Sequence, residues 1–133
     1  MSFNNDEEVW YELGNALYRL NELDKAIAAY QKQIEVMPNH KEVWNNMGIT
    51  LLFLGKLEDA VAAFKKQIEI VPSHEQAWYS MGIALSKQGK LEEAVTAYQK
   101  HLEINPGHRA AVFALCLALS DLDRVGEAQY MGG

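Results

Sequence analysis

The sequence predicts an all-α protein built as a solenoid of antiparallel helix hairpins, and three observations carry that reading. One residue pattern returns every 34 positions: Trp10, Trp44 and Trp78, then Gly14, Gly48 and Gly82, then Ala26, Ala60 and Ala94, then Pro38, Pro72 and Pro106. Within each period apolar residues recur three and four apart, which is the spacing of a helix face and not of a strand. Each period is also punctuated by a polar or glycine turn at its middle and a proline near its end. A fixed period of this length describes stacked supersecondary units whose core lies between neighbours. Three full units span 7–40, 41–74 and 75–108, an incomplete fourth spans 109–131, and the chain 1–133 reads as one domain.

In the first unit Val9, Trp10, Leu13, Leu17 and Leu20 predict a helix over 7–20, and Asp6, Glu7 and Glu8 place negative charge at its positive end. Asn21 and Glu22 make a turn. Leu23, Ala26, Ile27, Tyr30, Ile34 and Met37 then predict a second helix over 24–37. Pro38 stops it, because the residue before a proline is pushed out of helical geometry. The second and third units turn at Gly55-Lys56 and Gly89-Lys90, where glycine can take the left-handed conformation that ends a helix. Gly14, Gly48 and Gly82 lie inside helices, at a cost of about 0.5–1 kcal/mol each relative to alanine, so they require a shared compensation.

The fourth unit predicts a helix over 109–121, apolar on every face from Ala110 to Leu119, and a short eighth helix over 124–131. Cys116 and Ala128 occupy there the places of the glycines and of Ala26, so the cysteine reads as a small packing residue. The last helix of a solenoid needs a polar outer face. This one is expected to be covered, and self-association through Phe113 and Leu117 is one way to cover it.

Eighteen acidic residues against twelve basic ones leave a net charge of −6, with no basic run. That balance excludes the footprint of a nucleic-acid or anionic-membrane binder. Met1 to Asp6 has neither the positive nor the apolar region of a secretion signal. A single cysteine rules out an internal disulfide framework and fits a reducing, cytoplasmic setting. No apolar run approaches the roughly 20 residues of a membrane span, so the chain is expected to be soluble.

His40, His74 and His108 fall one period apart, but stacking displaces equivalent atoms by about 16–20 Å, whereas zinc ligands lie about 2 Å from one ion. They read as polar loop residues. No glycine-rich phosphate loop, metalloprotease pair, nucleophile elbow or paired-cysteine set is present. Glu58-Asp59 and Glu92-Glu93 begin second helices, where they favour the dipole. No catalytic residue, cofactor or metal is expected, and the chain does not read as an enzyme.

Together the tryptophan, glycine, alanine and proline positions resemble the tetratricopeptide repeat family over three full units and part of a fourth. The resemblance implies a right-handed superhelix, in which each helix glycine lets the hairpin close opposite Ala26, Ala60 or Ala94. It also implies that one side of the first helices lines a concave groove for a segment of a partner protein. Carried through the units, that lining centres on Tyr11, Asn15, Asn46, Ile49, Phe53, Tyr79, Ile83 and Phe113, with Asn45 and Ser86 alongside. Aromatic rings with amides suit an extended or helical peptide.

Two departures from the family pattern stand out. Where its second helix carries a small alanine, this chain has Gln33, Gln67 and His101. They are expected at a partly exposed seam with local hydrogen bonds; altered packing or a partner contact is the other reading. The family's carboxylate clamp for acidic chaperone tails is matched only by Asn15 and Asn46, since its three cationic positions fall on Tyr11, Gln76 and Ser80. Such tails are therefore not expected to bind. Self-association, or service as the recognition arm of a larger protein, are the alternatives to peptide binding.

Overall fold

The computed structural model describes residues 7–132, with side chains described through 126, so Asp6 and the side chain of Ala128 lie outside it. Among the described residues the helices are α1 (Val9–Arg19), α2 (Leu23–Val36), α3 (Val43–Phe53), α4 (Leu57–Ile70), α5 (Glu75–Lys87), α6 (Leu91–Ile104) and α7 (Arg109–Gly132). They form two compact units, Met1–Pro72 and Ser73–Gly133. In the first, α1 pairs with α2 and α3 with α4, and α2 packs on α3. In the second, α5 pairs with α6, and α7 packs mainly on α6.

Hairpin closure follows one recipe. Asn21, Gly55 and Gly89 take left-handed φ values of 64°, 79° and 81°. Beside them the backbone N–H of Glu22, Lys56 and Lys90 donates back to the carbonyls of Leu17, Leu51 and Leu85 at 2.8–2.9 Å. That bond satisfies a carbonyl the helix end would otherwise orphan. The second helices stop two residues before Pro38, Pro72 and Pro106, with Met37, Val71 and Asn105 already out of helical geometry at ψ values of 84°, 88° and 79°.

The compensation for the helix glycines is a ring. A Cβ on Gly14 would lie 2.5 Å from the Tyr30 ring, one on Gly48 2.7 Å from Phe64, and one on Gly82 2.5 Å from Tyr98. Ala26, Ala60 and Ala94 are fully buried as expected, but the group that needs the glycine is the aromatic four residues further along the second helix.

Gln33, Gln67 and His101 are not at a partly exposed seam. All three are buried, with exposures of 0, 0 and 2 %. Gln33 Oε1 accepts the N–H of Tyr11 at 3.0 Å while its Nε2 donates to the carbonyl of Glu7 at 2.6 Å. Gln67 does the same for Asn45 N–H and the Lys41 carbonyl. Neither Glu8 nor Glu42 caps its helix with its own side chain, and the second helix supplies a bond of the kind an N-cap residue would make. Histidines add local bonds at two helix starts: His40 Nδ1 accepts the N–H groups of Glu42 and Val43 at 3.1 Å before α3, and His74 Nδ1 accepts that of Ala77 at 3.2 Å in α5. There the glutamine position is His101.

The expected eighth helix is absent, because α7 runs unbroken through the place of the turn. Asp123 stands where Asn21, Gly55 and Gly89 stand in the other units, and the sequence there offers no glycine for a left-handed residue. Arg124 instead pairs along the helix with Asp121 at 3.3 Å. The reading of Cys116 as a packing residue fails for the same reason, since no second helix returns over it and it is exposed.

Gly48→Ala is expected to cost about 1–3 kcal/mol, because the fully buried Phe64 ring must yield to the new methyl group. Cys116→Ala, at the equivalent place with no ring above it, should stay within about 0.5 kcal/mol of the parent. Urea unfolding of the two variants checks the contrast.

Candidate functional site

The first unit brings three of the expected residues into one hydrogen-bonded cluster. Tyr11 and Asn15 are one turn apart on α1, and Asn46 reaches them from α3. Asn15 Oδ1 accepts from the Tyr30 hydroxyl at 2.7 Å and from Asn46 Nδ2 at 2.8 Å, which occupies both of its lone pairs. The second hydrogen of Asn46 Nδ2 points to the Tyr11 hydroxyl at 3.2 Å. This leaves the Asn15 amide as a double donor and the Asn46 carbonyl as an acceptor, side by side and half-buried.

Aromatic and apolar side chains extend this cluster. Ile49 lies one turn beyond Asn46, half-buried, and Phe53 follows at 67 % exposure with its ring 6.1 Å from that of Tyr18. On the other flank the Tyr11 ring packs against His40 with centroids 4.5 Å apart and the planes tilted by 42°. The His40 Nε2 lies 2.7 Å from a carboxylate oxygen of Glu8, and its Nδ1 accepts the backbone N–H groups of Glu42 and Val43. Burial, and then the neighbouring Tyr11 and Tyr18, push the Tyr30 hydroxyl up to about 12, against smaller opposing effects of Asn46 and Arg19.

The second unit carries the rest separately. Tyr79 on α5 packs against Tyr98 at 6.0 Å, His101 at 5.3 Å and His108 at 4.9 Å. Ser86 Oγ lies 3.2 Å from the Tyr98 hydroxyl, which burial pushes up from its ordinary value. Ile83 is half-buried one turn from Tyr79, while Phe113 and Leu117 stand exposed, at 66 and 50 %, one turn apart on α7.

One expected lining residue is misplaced. Asn45 is fully buried at the start of α3, where its backbone serves Gln67, so it does not line a surface. Two features went unforeseen. The first is the pairing of His40 with Glu8 and of His101 with His108, side chains 32 and 7 residues apart. The second is a cleft of about 440 Å³ on the side of α3 opposite Asn46, Ile49 and Phe53, walled by Ile27, Trp44, Met47, Leu51 and Ala63 with Gln31, Asp59 and Lys66 at its edge. Among the described residues no three His, Cys, Asp or Glu side chains gather to hold a metal ion, and no helix is long and apolar enough to cross a membrane.

A family model described as tetratricopeptide repeat matches residues 6–73, and a second of the same description matches 75–108. No curated protein sequence matches the chain. Among solved structures it is similar to the first TPR of Spaghetti (RPAP3) bound to the HSP90 peptide SRMEEVD, with 25 % identity over 91 % of this chain and 96 % of that one and a TM-score of 0.87. MamA is similar at 22 % identity, 95 % and 74 % coverage and a TM-score of 0.86. The Arabidopsis OM64 TPR domain is similar at 23 % identity, 86 % and 94 % coverage and a TM-score of 0.82.

Because Tyr30 holds its proton more tightly folded than unfolded, its contribution is fully present below about pH 10 and is lost as the pH rises towards about 12. Tyr30→Phe should reduce that alkaline loss by about 2 kcal/mol, with Phe64 showing that a bare ring fits the equivalent site. Urea unfolding of parent and variant at neutral pH and above pH 10 checks this.

Proposed function

The chain belongs to the tetratricopeptide repeat family, and on that premise we propose that it is a non-enzymatic interaction module or scaffold that holds a peptide segment of a partner protein against its first helices. The Asn15–Asn46 arrangement carries the proposal: it offers two amide hydrogens and one carbonyl oxygen, the complement of a peptide group's own acceptor and donor. Tyr11, Ile49 and Phe53 flank it with rigid apolar area, and Phe53 stands two-thirds exposed with no burial to explain its presence. On the second unit, Tyr79, Ile83 and Phe113 are a proposed contact surface of their own. A reducing, cytoplasmic setting, read from the single cysteine, belongs to the same proposal.

The partner segment is not an acidic chaperone tail. Two of the similar structures hold peptides ending in EEVD, from HSP90 and HSP70. At the positions where that mode of binding needs cations, this chain has the Tyr11 phenol, Gln76 and the buried Ser80. A charge-assisted hydrogen bond is worth about 1.5–3 kcal/mol, so three missing ones remove most of a micromolar affinity.

A second reading is favoured by α7, whose Val112, Phe113, Leu117, Leu119 and Val125 are each 43 % exposed or more. Apolar side chains exposed in this number on one helix mark an interaction surface, and a second copy of the chain is the occupant this reading names.

Phe53→Glu should remove partners that the parent captures from a lysate, and an unchanged partner set would refute the groove. In the same series, SRMEEVD should show no micromolar complex with the parent; such a complex, lost on Asn46→Ala, would show that the missing cations do not matter. For the second reading, sedimentation equilibrium should show the parent associating and Leu117→Lys monomeric, and an oligomer that survives the substitution would refute it.

A further inference from the structure

The apolar face of α7 has a counterpart on α1 that belongs to none of the roles above. Val9, Leu13, Leu17 and Leu20 share one side of that helix and its C-cap, and Leu13 and Leu20 are 44 and 72 % exposed. In α3 the places of Leu13 and Leu17 are held by Met47 and Leu51, which are only 8 and 7 % exposed where α2 packs on α3. In α5 the same two places, Met81 and Leu85, are buried as well. The stripe is built as a packing face: α3 and α5 bury it, and α1 shows it to solvent.

On α7 the exposed side chains gather around Cys116, with Val112 and Leu119 four and three residues away and Phe113 and Leu117 beside them. A small residue at the centre lets another helix come close, as Gly14, Gly48 and Gly82 do inside the hairpins. Charge adds a register. The α7 helix stands three periods after α1 in the repeat, and wherever both of two equivalent residues are charged their signs are opposite: Glu7 and Arg109, Arg19 and Asp121, Glu22 and Arg124. First helices of neighbouring units lie side by side, as the bond of Asn46 to Asn15 shows for α1 and α3. With α1 of one copy laid in that way against α7 of another, equivalent residues reach the same height and opposite charges meet. Glu22 pairs with Lys25 and Arg124 with Asp121 within the chain, but exposed pairs of this kind hold weakly and are readily shared.

We propose that the exposed stripe of α1 is the surface on which α7 of a second copy docks, so that chains join head to tail. The proposal rests on the self-association reading above and deepens it by naming what α7 meets. Leu13 and Leu20 supply apolar area to Val112, Phe113 and Leu117, while Arg19 and Asp121 fix the register. The contact is heterologous: each chain gives α1 from one unit and α7 from the other, and a partner seated on α7 leaves that chain's own α1 open for the next. Association therefore continues past two chains into a ring or a filament, whereas α7 packed on α7 stops at two.

The test is sedimentation equilibrium of the parent, of Leu13→Lys, of Leu117→Lys, and of the two variants mixed in equal amounts. Each variant spoils one of the two surfaces and keeps the other. The parent should exceed two chains as its concentration rises, and each variant alone should stay a single chain. The mixture should regain association as a one-to-one pair and nothing larger. A Leu13→Lys variant that associates like the parent, or a parent that stops at two chains, would overturn the docking on α1 and leave the reading of α7 standing. A mixture that stays as single chains would also overturn it. A parent that is a single chain at every concentration would overturn both. Should Leu13→Lys not fold, Leu20→Lys replaces a largely exposed side chain of the same stripe, and the same results are expected of it.

Discussion

A buried side chain from the second helix that reaches back to the start of the first is the contact on which each hairpin depends. The first turn of a helix has N–H groups without partners, and a helix start pressed against a neighbour cannot leave them to water. In α1 and α3 the preceding residues are Glu8 and Glu42, and neither side chain caps its helix. Gln33 and Gln67 do so from 22 residues downstream, and their own amide hydrogens are spent on the carbonyls of Glu7 and Lys41. A full set of bonds is what permits an amide at zero exposure, since an unsatisfied buried donor or acceptor costs about 1–3 kcal/mol.

With the helix starts held, the rest of the hairpin has little freedom. The ring of Tyr30, Phe64 or Tyr98 lies on a glycine of the first helix, which fixes how closely the two helices approach. Where the ring is a tyrosine, its hydroxyl reaches past the glycine and meets a polar residue of the first helix, Asn15 in one case and Ser86 in the other. The Asn15 carbonyl is thereby turned inward and its amide outward. A packing device thus sets the orientation of the proposed recognition group, linking hairpin closure to what the surface can bind.

The period, the helix hairpins and the turns were legible in the sequence because each rests on local rules: three- and four-residue apolar spacing, a left-handed residue at Asn21, Gly55 and Gly89, and a proline that ends each unit. The burial of Gln33 and Gln67 was not legible from their own polarity. Its signal lay elsewhere, in helices that begin after glutamate without serine, threonine, aspartate or asparagine at the cap. The unbroken α7 likewise had a signal in Asp123, which replaces the turn residue, but the apolar run before it drew attention to coverage instead. Of the site, Asn15 and Asn46 could be named from their positions. Their mutual bond could not, because it depends on how closely α1 and α3 lie side by side. The meeting of His101 with His108 was hidden by periodicity itself, which compares His108 with His40 and His74 and never with a residue seven positions away.

Amide hydrogen exchange at Tyr11 and Asn45 tests the buried-amide closure most directly. Both are third residues of a helix, where an N–H ordinarily lacks an intrahelical partner and exchanges early. If Gln33 and Gln67 bind them, these two amides should be protected like those of the helix interior, and Gln67→Ala should release Asn45 while leaving Tyr11 unchanged. Exchange at both sites as fast as in an exposed first turn would contradict the closure and, with it, the fixed placement of Asn15 and Asn46.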